Sequence, residues 1–286
     1  MEIQLNSSQL DAFAVLEEDT NVFLSGGAGT GKSFLIRHFL KHTHADYAVL
    51  ASTGAAAVLL GGRTFHSYFG LGIMEGGVSR TVMRALKNRR VLDRIEAEDG
   101  ILIDEVSMIT GEAMQAAEMI ARKARDNDRP WGGLRVIAVG DFFQLPPITR
   151  AGMKRDWAFL DKVWGGSDFK SVLLDRNERS KDFSFSGVLN QIRKGNLDKD
   201  VRMFLDSRKS QVSVDFDGTR LFARRDPTEA FNLERLAKVK GKLHEFDTKY
   251  TGKAKNVETL KKNAPIPEQI LLKEGALVMI RSNDPK

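Results

Sequence analysis

Eight residues near the N-terminus, Gly26–Ser33, read GGAGTGKS and fit G-x-x-x-x-G-K-[ST] in full. Glycines let backbone N–H groups curl around phosphate oxygens where a Cβ would clash. A helix opening behind them adds positive potential. Gly27, Ala28, Gly29, Thr30 and Gly31 are therefore expected to cradle phosphates, with Lys32 reaching the terminal ones and the Ser33 hydroxyl ligating Mg2+. A flexible glycine turn is the bland alternative, opposed by the strand-like run before the motif and the helical pattern after it. Further on, Ile101–Asp104 followed by Glu105 gives an apolar strand ending in two carboxylates. Asp104 would hold Mg2+, directly or through water, and Glu105 would orient and deprotonate an attacking water. That pair favours hydrolysis over transfer to another acceptor, although two exposed acids after a core strand would look the same. In Val136–Pro147 (VIAVGDFFQLPP), Gln144 lies four residues beyond the end of a strand. It could donate to a γ-phosphate and accept from the lytic water, while its own surroundings read equally as a loop.

These residues must be held by regular elements. Asn21–Ser25, Tyr47–Ser52, Ile101–Asp104, Val136–Gly140 and Val172–Leu174 read as strands, and Ser33–His42 and Gly111–Arg125 as helices. Continuous apolar strands separated by helices imply an α/β fold with a parallel sheet covered on both faces. Phe69–Glu98, first glycine-rich and then basic, reads as a small inserted subdomain. Beyond Asp175 the rhythm weakens: Arg220–Ala223 and Ala276–Arg281 look like strands and Pro227–Lys238 like a helix.

The chain has 286 residues and no cysteine, which excludes disulfides, thiol nucleophiles and zinc–thiolate sites. It contains no apolar run near the ~18 residues that span a bilayer, and its first residues do not resemble a signal peptide, so a cytoplasmic protein without membrane partners is expected. Arg220–Lys262 carries twelve basic and six acidic residues, an excess equal to the whole net charge of +6. Such an excess attracts phosphate backbones; a solvated lysine-rich face is the competing reading.

Taken together, these motifs resemble the superfamily 1B DNA helicases of the petite-integration-frequency (PIF) type, with RecD-like helicases as near relatives. LNSSQ (Leu5–Gln9) resembles the adenine-recognition block. GGAGTGKS, ASTGAAA (Ala51–Ala57), GGRTFHSYFG (Gly61–Gly70), IDEVSM (Ile103–Met108) and GDFFQLPP (Gly140–Pro147) follow in family order, and LKEGALVMIRSND (Leu272–Asp284) resembles a later block.

The resemblance implies a RecA-like ATP-binding domain over 1–175 with an insertion at about 69–98, and a partial second RecA-like domain over 176–286. It implies ATP and Mg2+ as cofactors, Gln9 as the adenine reader, and Lys32, Glu105, Gln144 and Arg179 as catalytic residues, Arg179 reaching the γ-phosphate. Thr53, Gly54, Thr64 and His66 would touch single-stranded DNA. Ser180 stands where the family usually has glutamine after the arginine, which leaves the local hydrogen bonding at Arg179 different. The implied activity is ATP-dependent 5′-to-3′ unwinding of tailed duplexes, in the service of DNA repair and recombination. The family's motifs V and VI do not occur before Lys286, so these 286 residues are expected to unwind poorly. A nucleotide-gated single-stranded DNA binder without translocation, and a small-molecule kinase, are the rival readings.

Overall fold

The computed structural model describes residues 5–149, 152, 154–180, 182–209, 218–252, 257–258, 261 and 268–278. It comprises two compact units, Met1–Ser210 and Gln211–Lys286.

In the first unit, α1 (Ser7–Glu17) precedes β1 (Val22–Gly26) and α2 (Lys32–His42). Then come β2 (Tyr47–Ala51), α3 (Gly54–Leu59), β3 (Arg63–Thr64) and α4 (Phe65–Tyr68), and a helical pair, α5 (Gly77–Ala85) and α6 (Arg89–Ala97). β4 (Gly100–Asp104), α7 (Gly111–Ala124), β5 (Arg135–Gly140), α8 (Lys162–Gly166), β6 (Lys170–Leu174), α9 (Phe183–Arg193) and α10 (Lys199–Ser207) follow. The six strands form one sheet in the order β3-β2-β4-β5-β1-β6, every neighbouring pair parallel.

The apolar strands are explained by burial on both sides. Ile101, Ile103, Val136 and Ala138 face one core with the helices α4 to α7; Leu102, Ile137 and Val139 face the other with α1 and α2. Successive strand side chains point to opposite faces, so a strand covered on both must be apolar throughout. The segment expected as an insertion contributes Leu71, Val82, Ala85, Val91 and Ile95 to the first core. It is a helical pair laid on the domain.

Residues beyond Asp175 remain part of the first unit, whose limit falls at Ser210. Hydrogen bonds from 177–179 to the glycine loop and an ion pair from α9 to the end of β5 hold them there. In the second unit, α11 (Arg225–Lys238) matches the expected helix, and β7 (Leu243–Asp247) pairs antiparallel with β8 (Gln269–Lys273). No strand forms over 220–223 or 276–278, and residues 279–281 of the expected last strand lie outside the described residues. The charges of Lys253, Lys255 and Lys262 also fall outside them.

Candidate nucleotide cleft and nucleic-acid edge

Because all six strands run the same way, their C-terminal ends share one edge, where ligands of such sheets bind. β1 delivers the glycine loop to that edge. Gly29 and Gly31 have φ of +79° and +87°, a region closed to most L-residues. Close neighbours also demand glycine here. A Cβ on Gly29 would stand 2.8 Å from the Arg179 Cβ and 2.9 Å from the Asn177 Oδ1, and one on Gly31 would strike the Gln9 amide. The Thr30 hydroxyl donates to the Gly27 carbonyl (3.0 Å), and the Lys32 ammonium to the carbonyls of Gly26 (2.7 Å) and Gly27 (3.1 Å).

The loop is braced from two sides. Asn6 and Gln9 form a reciprocal cap on α1: the Gln9 N–H donates to the Asn6 Oδ1 (2.9 Å) and the Asn6 N–H to the Gln9 Oε1 (3.1 Å). The Gln9 Nε2 then donates to the Thr30 carbonyl (3.4 Å). Opposite, the Asn177 Nδ2 donates to the Ala28 carbonyl (3.0 Å), and the N–H groups of Glu178 (2.7 Å) and Arg179 (3.2 Å) both donate to the Gly29 carbonyl. The Asn6 Nδ2 closes the ring on the Glu178 carboxylate at 2.7 Å.

These contacts enclose a cavity of about 570 Å3. Gln9, Ala28, Gly29, Thr30, Gly31, Lys32, Ser33, Glu105, Gln144 and Arg179 all line it. Residues spread over 170 positions of sequence thus meet in one cleft. Gly27 and Asp104 are not among the lining residues; Asp104 is buried, its Oδ1 accepting the Glu105 N–H at 2.9 Å. Glu105 itself adopts φ +52° and ψ +43°. A non-glycine residue in this conformation is strained, a feature concentrated at functional sites; here it turns the chain from β4 toward the cleft.

Electrostatics follow from enclosure. Burial draws the Lys32 ammonium below its ordinary pKa, against the opposing pull of Asp141, Glu105 and Asp104. Burial raises the Asp104 carboxyl, opposed by the Glu105 N–H, Lys32 and Arg37. Burial and then the Asp104 charge raise the Glu105 carboxyl, which moves it toward the range useful to a base at neutral pH. The donor set fits a polyphosphate with a hard divalent cation: a glycine cradle, one ammonium, and the oxygens of Ser33 and Asp104. Among the described residues no group of three or more His, Cys, Asp or Glu side chains could hold a metal. A cation here would therefore take its remaining oxygens from phosphates and water, as Mg2+ commonly does.

The four expected DNA residues stand elsewhere on the same edge. β2 and β3 pair Ala51 with Thr64, which sets the starts of α3 and α4 side by side. Thr53 caps α3 by accepting the Ala56 N–H (3.3 Å), and Thr64 caps α4 by accepting the Ser67 N–H (3.3 Å). A Cβ on Gly54 would meet nothing within 4 Å, leaving that backbone open to a ligand. His66 is half-buried and burial lowers its pKa, so at neutral pH it offers an uncharged imidazole.

The family model for PIF1-like helicases matches residues 4–203. The chain belongs to the PIF1-like helicase family. An ATP-dependent DNA helicase Pif1 of Bdellovibrio bacteriovorus is 49% identical over 286 residues, covering 100% of this chain and 65% of that protein. ATP-dependent DNA helicase PIF1 of Saccharomyces cerevisiae is 34% identical over 98% of this chain and 34% of its own length. The crystal structure of Pif1 helicase from Candida albicans superposes with a TM-score of 0.84 at 30% identity, over 95% of this chain and 64% of that one. The chain thus spans less than two thirds of each relative. No helix among the described residues is long and apolar enough to cross a membrane.

Several residues of the site were not singled out in the sequence. Asn6, Asn177, Asp141 and Arg193 brace the cleft or its glutamine. A signal existed for Asn6 alone: Asn6 and Gln9 have the spacing of a capping box.

Proposed function

We propose that this chain is the nucleotide-hydrolysing part of an ATP-dependent DNA helicase. The observation that carries the reading is the single cleft lined by the glycine loop, Lys32, Ser33, Glu105, Gln144 and Arg179. Lys32 and the loop N–H groups would hold the phosphates of ATP, with Gln9 beside the loop where the base enters. Ser33 and Asp104 would hold Mg2+, which supplies charge neutralisation on the phosphates when bound. Glu105 would take the proton of the attacking water. Gln144 would align that water, and Arg179 would place positive charge beside the γ-phosphate, where it favours the transition state over the ground state.

Thr53, Gly54, Thr64 and His66 would receive the backbone of single-stranded DNA. Translocation in the 5′-to-3′ direction on tailed duplexes is the polarity the family resemblance supports, and the cytoplasm is the proposed place of work. The names of the bacterial and yeast relatives, ATP-dependent DNA helicases, support the reading.

The test is ATP hydrolysis with and without single-stranded DNA, beside binding of a fluorescent ATP analogue, for the 286-residue chain and Lys32→Ala. Turnover stimulated by DNA and abolished in Lys32→Ala is expected. Binding of ATP unchanged in Lys32→Ala would sink the assignment of the cleft. Nucleotide-sensitive DNA affinity without turnover would replace the motor by a nucleotide-gated DNA binder.

A further inference from the structure

The carboxylate of Asp141, at the end of β5, is 1% exposed. Its Oδ1 accepts the Phe143 N–H at 3.2 Å and the Arg193 Nη2 at 2.7 Å; its Oδ2 accepts the Arg193 Nε at 2.7 Å and the Gln144 Nε2 at 3.0 Å. A carboxylate offers roughly four lone-pair sites, and all are used. Arg193 comes from the last turn of α9 and grips Asp141 with two parallel bonds, the geometry in which arginine is most directional. Its guanidinium also lies over the Phe143 ring, 4.7 Å from the centroid. Its Cδ is 3.9 Å from where a Cβ on Gly27 would stand. One arginine therefore grips the end of β5 and the turn that carries Gln144, and it passes close beside the glycine loop.

We propose that Arg193 is the positioning residue for Gln144, acting through Asp141. The claim rests on the reading of Gln144 as the residue that aligns the lytic water. A carboxylate can only accept, so the end of the Gln144 side chain that meets Asp141 is its amino group. The carbonyl oxygen is thereby left as the free acceptor in the cleft, ready for a hydrogen of the water, with the second amide N–H left to donate. Arg193 fixes the plane and place of Asp141, and Asp141 fixes which way round the Gln144 amide sits. Charge compensation alone would need one cationic contact; the two-pronged grip adds the orientation.

The experiment measures kcat and KM for DNA-stimulated ATP hydrolysis, and the dissociation constant of a fluorescent ATP analogue. The proteins are the full chain, Arg193→Ala, Arg193→Lys, Gln144→Ala and the Arg193→Ala/Gln144→Ala double variant, each assayed well below its melting temperature. Arg193→Ala is expected to lower kcat about tenfold or more, as misplacement near the chemistry does, with nucleotide affinity little changed. The double variant is expected to be no slower than Gln144→Ala alone. Arg193→Lys keeps the charge without the fork, so it should restore melting temperature but not kcat. Full recovery of kcat in Arg193→Lys, or losses that multiply in the double variant, would overturn the positioning role while leaving the cleft assignment intact. Unchanged kcat in Gln144→Ala would instead overturn the reading of Gln144 and this proposal with it; unchanged turnover in Lys32→Ala is the separate sign that the cleft itself is misassigned.

Discussion

The two ends of the sheet's C-terminal edge are built by different means. The candidate nucleotide cleft is tied by bonds between residues far apart in sequence: Asn6 with Glu178 (172 positions), Asn177 with Ala28 (149) and Arg193 with Asp141 (52). At the β2–β3 edge the candidate DNA residues are held by neighbours, each threonine capping a helix through an N–H three positions on. Long-range ties fix a geometry only after the whole unit has folded, and they hold it against local fluctuation. Local caps are worth only about 1 kcal/mol each, so they cost little to undo. The first site is thus specified by the tertiary fold, while the second is mostly specified by its own short stretch of chain.

The sharpest way to break this contrast is Gly29→Ala. Its φ of +79° and the crowding by Arg179 and Asn177 should force the loop off its brace. Strain of about 1–3 kcal/mol predicts ATP affinity weaker by roughly 5- to 150-fold, measured by calorimetry. Single-stranded DNA affinity without nucleotide should hold within about twofold, since the β2–β3 edge shares none of those bonds. Equal losses at both ends would erase the distinction.

Asp141 gives an intermediate effect with a pH signature. Burial works to raise its carboxyl, but bonds from Arg193, Gln144 and the Phe143 N–H outweigh it and leave the pKa below the ordinary carboxylate value. A depressed folded pKa contributes stability that is present above the unfolded value, near 4, and is lost as pH falls through the folded one. Melting temperature should therefore drop on acidification below about pH 4 more steeply in the wild type than in Asp141→Asn. At neutral pH, Asp141→Asn should be destabilised by about 3 kcal/mol, the scale for breaking one side of a buried pair. Parallel acid limbs for the two proteins would show that the pair contributes nothing.

The smallest effects lie at the other end. Thr53→Ala and Thr64→Ala should each lower stability by about 1 kcal/mol through loss of a cap, read by denaturant melts. Gly54→Ala, whose Cβ meets nothing within 4 Å, should leave stability unchanged or slightly raised while weakening single-stranded DNA binding. Undiminished DNA affinity in Gly54→Ala would remove that backbone from the interface.

What could be read beforehand follows the same division. The glycine loop, the Asp104–Glu105 pair and the apolar strands were legible because each is a contiguous pattern whose spacing carries its own physics. The partnership of Arg193 with Asp141 was not, since nothing local to α9 marks one arginine among its neighbours as aimed at β5. β3 has two residues, too few to show a period. The β7–β8 pair went unanticipated because its strands, exposed or half-buried, lack a doubly buried apolar run. The start of α1 is marked in the sequence by Asn6 and Gln9, whose spacing fits a capping box.

The strand order has a mechanical consequence. β2 lies beside β4, β4 beside β5 and β5 beside β1, so the end proposed to meet DNA and the end proposed to cradle phosphate are three strand spacings apart, about 14 Å. A parallel sheet packed on both faces is stiff across its strands. It works as a gauge block that resists drawing the two candidate sites together or apart. Under the proposed function, a stroke on the nucleic acid would come from pieces that swing against this block, its length set by their travel and not by elastic give within it.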